Sequence, residues 1–374
     1  MSITLQKRQK SQLSDEERIR DFQRNLYRKA KREPNFRFYV LYDKIRLSHF
    51  LREAYKRVKA NGGSSGVDGV SFAEIEEYGV EKYLSEISAR LKNESYKPLA
   101  VKRVYIPKAN GQMRPLGIPT IKDRIVQMSC KLVIEPVYES DFEDSSYGFR
   151  PKRSAKGAIT EIRNNLHQGK TEVFDADISK YFDTIPHDKL LKVAARRISD
   201  RKVIHLIKMW LKSPIDEEGK ISGGKKNKLD TPQGGVISPL LANIYLHLLG
   251  GVVNNKEMFK RIGMKIIRYA DDFILMGKHI PKDMLEYITR ILERMGLKLN
   301  KEKSRMINSK EESFNFLRFA FRYDRGQRWN QKSLCFILYF TRRQCFRLRY
   351  FRFFWLVVPC LVSCSCLSFY ENYL

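Results

Sequence analysis

Cysteine is all but missing from the body of the chain. Of six cysteines, only Cys130 comes before residue 335, and it stands alone in an apolar stretch. No pair has metal-ligand spacing there, which excludes a zinc-ribbon framework and a disulfide-stapled fold. Cys130 reads as a small core residue in a reducing compartment. Residues 1–10 are polar and basic without an apolar run, so a secretory leader is not expected and a bacterial cytoplasmic location is. No internal repeat is found. Acid is scarce as well: 42 Asp and Glu face 71 Lys and Arg, a net charge of +29. Such a chain repels itself unless a polyanion neutralises it, so nucleic acid is the natural partner. Its 374 residues exceed the roughly 250–300 at which single cores stop growing, so two or three packed subdomains are expected.

The shortage of acid becomes complete after Asp324, because none follows until Glu371, and the other five cysteines crowd into that tail. Phe353 to Tyr370 is an uncharged apolar run near the lower limit of a membrane span. A membrane anchor is one reading. Truncation or a shifted frame is the other and is favoured, because sequence rich in arginine and cysteine but without acids is poor core material. No membrane is expected as a partner.

Local patterns place the elements. Ser14 to Glu33 carries Ile19, Phe22, Leu26 and Tyr27 at helical spacing, with Ser14 as N-cap and Pro34 as the stop. A second helix from Val40 to Lys59 runs into Asn61-Gly62-Gly63. Val101 to Pro119 reads as a basic hairpin turning at Asn110-Gly111. Helices are expected from Lys122 to Tyr138, His187 to Lys212 and Met284 to Met295, with another opened by Ser238-Pro239. Asp230 to Gly235 is a loop.

Two segments break the apolar rule. Thr171 to Ile178 is a strand by its Val173, Phe174 and Ile178, yet it holds Asp175 and Asp177. Met264 to Gly277 is a hairpin interrupted by Asp271 and Asp272. Adjacent acids among apolar neighbours repel one another in a lowered dielectric, and a divalent cation resolves the conflict. Polar turn acids facing solvent are the plain alternative, weakened by the second acid-bearing strand. Joining a nucleotide to a primer demands such an arrangement, since two magnesium ions about 3.5–4 Å apart activate the hydroxyl and neutralise the triphosphate. Alternation puts Asp175 and Asp177 on one face and does not choose between them.

Three phrases together are highly specific: Arg268-Tyr-Ala-Asp-Asp272, Asp175-Ala-Asp-Ile-Ser-Lys-Tyr-Phe-Asp183, and the run from Thr231-Pro-Gln-Gly-Gly235 to Ala242-Asn-Ile-Tyr245. They resemble bacterial group II intron reverse transcriptases, the maturase family. Gly66-Val-Asp-Gly69, Ile106-Pro-Lys108, Arg114 to Thr120 with Asp123-Arg124, and Ser146-Tyr-Gly-Phe-Arg-Pro151 extend the likeness over roughly Phe36 to Phe321.

The resemblance implies an α/β (α+β) right-hand polymerase. Residues 1–65 would be a helical N-terminal extension, 66–170 the fingers, 171–324 the palm with a fingers-side helical insertion, and 325–374 an aberrant tail where a thumb belongs. It selects Asp177 over Asp175 and implies that Asp177 and Asp271 bridge two Mg2+ ions while Asp272 orients one. It implies that Lys108 and Arg114 grip the nucleotide phosphates, that Phe182 screens the sugar, and that Gln233 and Lys303 contact the nucleotide. Tyr269 and the segment Phe316, Leu317, Arg318 and Phe319 would hold the primer and template, although Arg318 stands where the family carries glycine. The partners implied are an RNA template, group II intron RNA above all, a DNA primer or target, the RNA–DNA hybrid and dNTPs. An RNA-binding splicing cofactor without polymerisation, or a reverse transcriptase of a retron, diversity-generating or phage-defence system, are the competing readings.

Overall fold

A computed structural model describes residues 13–107, 111, 113–224 and 234–323, with the backbone of 324 and of 334–339. Lys108, Gln233 and the anchor reading of Phe353 to Tyr370 fall outside the described residues.

The first helix, Asp15–Arg32, starts where the sequence places it, because Ser14 and Glu17 form a reciprocal capping box. The Ser14 N–H donates to Glu17 Oε2 at 2.8 Å and the Glu17 N–H to Ser14 Oγ at 3.3 Å. This helix and the helix Ser48–Asn61 pack on the helix Ile121–Glu139. That helix is apolar on nearly every side and buries Ile125, Val126, Cys130, Val133 and Val137. Its start is tied down by Asp123, whose carboxylate accepts from Tyr96 Oη (2.7 Å), Thr120 Oγ1 (2.8 Å) and the Leu99 N–H (3.0 Å).

The hairpin expected at 101–119 forms as β1 (Val101–Pro107) and β2 (Met113–Ile118). Strand β3 (Glu172–Ala176) carries Asp175. Two short strands, β4 (Pro214–Glu217) and β5 (Lys220–Gly223), add to the far edge of β1, with β1 and β4 parallel, giving a sheet ordered β2-β1-β4-β5. A second sheet, entirely antiparallel, is ordered β6-β7-β3-β8, with β6 at Lys265–Tyr269, β7 at Asp272–Gly277 and β8 at Arg305–Asn308. Strands β9 (Phe314–Phe316), β10 (Phe319–Asp324) and β11 (Leu334–Tyr339) form a third.

Alternation along the second sheet feeds two apolar clusters. Phe174, Ile266, Phe273 and Leu275 join the large core, whereas Val173, Ile267, Ile274 and Met276 join a smaller one with Phe314, Phe316 and Phe321. Both faces are therefore covered.

Two expectations need correction. The single helix from His187 to Lys212 is two, His187–Ala194 and Arg201–Leu211. Asp200 caps the second through the N–H groups of Lys202 (3.1 Å) and Val203 (3.4 Å), while its other oxygen takes the Leu41 and Tyr42 N–H groups at 2.8 Å each. The helix expected from Val40 to Lys59 is also two, Tyr42–Ile45 and Ser48–Asn61. The large core draws on Ile19, Leu84, Ile125 and Phe273 alike. Strands β10 and β11 pair antiparallel from Phe319↔Tyr339 to Asp324↔Leu334.

Candidate active site

Tyr269 pairs with Asp272 across β6 and β7, so the chain reverses through Ala270 and Asp271 alone. Ala270 takes φ +58°, a left-handed backbone that two-residue hairpins require and that alanine resists. Asp271 and Asp272 thus stand at the open end of the sheet. Asp177 follows β3, the neighbour of β7, and its position is fixed from the main chain. Its N–H donates to Ser304 Oγ (3.1 Å) and its carbonyl accepts the Asn300 N–H (2.8 Å). The fold therefore brings the three predicted aspartates to one edge.

Their electrostatics bear the mark of proximity. Burial raises the Asp271 carboxyl above its ordinary value, and Asp177 adds to the rise while Arg114 and Arg268 oppose it. Asp272 is pushed up to about 7, first by desolvation and then by Asp271, Asp177 and Asp175, with Lys303 opposing. The Asp272 residue as a whole is exposed, so its charge remains partly screened by water. Asp175 is also raised, chiefly by burial; it lies opposite Arg305 of β8, which lowers it. Alternation left Asp175 and Asp177 equivalent, but their partners differ: Lys303 Nζ lies 3.1 Å from Asp177 Oδ2.

Among the described residues, no three acids are already gathered into a cage for one ion. The donor set nonetheless suits a hard divalent cation, because it is all carboxylate and its members raise one another's proton affinity. Ligand positions left open on such an ion are the ones a triphosphate and water fill.

The other predicted residues fall at different distances from this edge. Arg114 is on β2, exposed and close enough to affect Asp271. Phe182 is buried beside Tyr181, with ring centroids 5.4 Å apart, in the short helix Tyr181–Thr184 that follows Asp177. Gly234 sits where a Cβ would lie 2.2 Å from the Gly117 carbonyl oxygen, so its backbone is pressed against β2. Phe316 pairs with Phe319 across a two-residue turn in which Leu317 (φ +51°) and Arg318 (φ +68°) are both left-handed. Phe316 is core, Leu317 and Phe319 are half-buried, and Arg318 projects into solvent.

Residue-by-residue reading missed Arg268 and Asn243, which were quoted only inside motifs. Arg268 is 3% exposed and Asn243 1%. An arginine following Ile266-Ile267 in a strand, and an asparagine on the apolar face of the helix Ser238–Asn255, are the signals that were available.

The elements and their acidic edge define a polymerase palm carrying a fingers sheet. Residues 106–321 match the family described as reverse transcriptase (RNA-dependent DNA polymerase), and the chain belongs to that family. It carries the domain of an RNA-directed DNA polymerase, in a family that uses divalent metal ions, and is similar to a group II intron-encoded protein. Protein YkfC of Escherichia coli is 35% identical over 327 residues, covering 77% of this chain and 84% of that protein. The group II intron-encoded protein LtrA of Lactococcus lactis is 38% identical over 206 residues, 55% of this chain but 33% of its own length. The chain thus spans about a third of LtrA. A partial Cas6-RT-Cas1--Cas2 complex aligns at 24% identity over 68% of this chain and 40% of that one, with a TM-score of 0.41, and carries no argument. Among the described residues, no helix is long and apolar enough to cross a membrane.

Proposed function

We propose that the chain copies group II intron RNA into DNA from a DNA primer, using Mg2+ held by Asp177, Asp271 and Asp272. The observation that carries the reading is the convergence of these carboxylates on one sheet edge, where they disturb one another's protonation. Magnesium there would supply charge neutralisation and hydroxyl activation. Arg114 is close enough to Asp271 to lower its proton affinity and would grip the incoming phosphates as a planar fork, with Lys108 as a second charge. Lys303, paired with Asp177, would exchange that carboxylate for a phosphate oxygen. Phe182 would bear on the sugar and Gln233 on the sugar or base. Tyr269 and the Phe316 to Phe319 turn would meet the primer and template, Arg318 through its exposed charge.

In this reading the chain also helps its intron RNA fold for splicing and supports intron mobility; its likeness to a group II intron-encoded protein and to an intron maturase supports it. The net charge of +29 supports a large RNA footprint. The test compares the full chain on its own flanking intron RNA and on an unrelated RNA of equal length, scoring cDNA yield and precursor splicing. Faster synthesis on the intron and stimulated splicing are expected. Equal synthesis on both RNAs without any splicing effect would place the enzyme in a non-intron system, and splicing without synthesis would leave an RNA chaperone.

A further inference from the structure

Arg268 is a buried cation at the back of the Asp271-Asp272 turn. Desolvating a guanidinium costs several kcal/mol unless its donors are met, and its pKa falls to about 10, chiefly through burial. It still carries its charge at neutral pH. Its Nη1 donates to Asn243 Oδ1 and to the Ala270 carbonyl, both at 2.8 Å, and its Nη2 to Ser146 Oγ at 2.6 Å. Asn243 in turn donates from Nδ2 to the Gly148 carbonyl at 2.8 Å. The main chain closes the ring: the Arg268 N–H donates to the Ser145 carbonyl (2.9 Å) and the Tyr147 N–H to the Arg268 carbonyl (2.8 Å). Gly148 is pressed so tightly on the turn that a Cβ there would lie 2.4 Å from the Ala270 nitrogen.

Three separate phrases of the sequence, at 146–151, 242–245 and 268–272, thus meet in one polar network. Arg268, Asn243, Ser146 and Gly148 are all buried. What they share is Ala270, whose left-handed backbone sets the directions of the next two residues, Asp271 and Asp272. An alanine turn of that kind drifts toward other conformations unless its surroundings over-determine it. The Arg268 guanidinium grips its carbonyl from the helix side, and Gly148 meets its nitrogen from the loop side.

We propose that Arg268, held by Asn243 and Ser146 and backed by Gly148, is the positioning residue that fixes the Ala270 turn and thereby the geometry of the Asp271 and Asp272 metal ligands. This rests on the reading that those aspartates bind the metals. Supporting groups of this kind, when lost, cost about 10- to 100-fold in metal affinity or activity. Lysine at 268 keeps the charge but presents no planar fork to satisfy three acceptors at once. Alanine at 148 leaves the charge untouched and displaces the turn from the opposite side.

The experiment titrates Mn2+ calorimetrically into the full chain bound to an RNA template–DNA primer duplex, and measures kcat and the dNTP KM in parallel. Arg268→Lys and Gly148→Ala are compared with the unaltered chain and with Asp271→Asn. Both positioning variants should weaken Mn2+ binding and lower kcat by about 10- to 100-fold, with duplex affinity and dNTP KM within about 3-fold. Their amides at 269–272 should exchange hydrogen faster. Should Arg268→Lys fail to fold, Gly148→Ala carries the same test without loss of the buried cation. Unaltered Mn2+ affinity and kcat in the folded variants, while Asp271→Asn loses both, would overturn the positioning role and spare the metal site. Unaltered Mn2+ binding by Asp271→Asn would instead remove the metal reading beneath it.

Discussion

At the scale of the residue, the site is held in tension by its own acids. With its pKa raised to about 7, the Asp272 carboxyl is favoured by the fold in its protonated form. That contribution is complete below about pH 4, the unfolded value, and is lost as pH rises through 7. In EDTA at pH 8, Asp272→Asn should therefore melt a few degrees above the unaltered chain while losing synthesis, and the gain should vanish at pH 4. Partial exposure of Asp272 keeps the effect small, and identical melting temperatures at both pH values would contradict it. Arg318 makes a second case. Its φ of +68° costs a residue with a Cβ roughly 1–2 kcal/mol, offset in part by the greater chain entropy of glycine. Arg318→Gly should stabilise the chain by up to about 1 kcal/mol, read from urea denaturation. The departure from glycine was visible in the sequence; that both Leu317 and Arg318 are left-handed was not, because a turn type follows from the strand pairing it closes.

At the scale of the element, local signals served well where the cause was local. The Ser14 capping box, the Gly296 stop of the helix Lys282–Met295 (φ +84°) and the hairpins of β1–β2 and β6–β7 all formed where short-range chemistry placed them. The break between Ala194 and Arg201 was illegible for the opposite reason. Asp200 is spent on backbone N–H groups of Leu41 and Tyr42, about 160 positions away in the chain, and no window around 200 reveals such partners. Strands β4 and β5 escaped notice likewise, since four-residue strands are recognisable only by the β1 edge they extend. Asp200→Ala strips a helix cap and leaves two buried N–H donors unmet, which should cost about 2–4 kcal/mol. Chemical denaturation checks this, and a loss below about 0.5 kcal/mol would refute the clamp.

At the scale of the whole molecule, one apolar core joins the N-terminal helices, the helix Ile121–Glu139 and the β6-β7-β3-β8 sheet, so the geometry of the acidic edge and global stability are linked. The candidate site was legible as a set of residues because polymerisation demands carboxylates and fixed cations in an order that survives in the linear chain. Its support was not, because Arg268, Asn243 and Gly148 acquire their purpose only from mutual contact. The net charge of +29 predicts that affinity for an RNA–DNA duplex falls steeply between 50 and 200 mM salt, by about 10³-fold or more if six or more phosphates are neutralised. A flat dependence would deny the electrostatic groove. The most direct test of the central claim is single-turnover dNTP incorporation on an RNA template–DNA primer with Mg2+, comparing the unaltered chain with Asp271→Asn/Asp272→Asn. Mg2+-dependent extension that drops by about 10³-fold or more in the variant is the predicted result, and extension at an equal rate by both chains would contradict it.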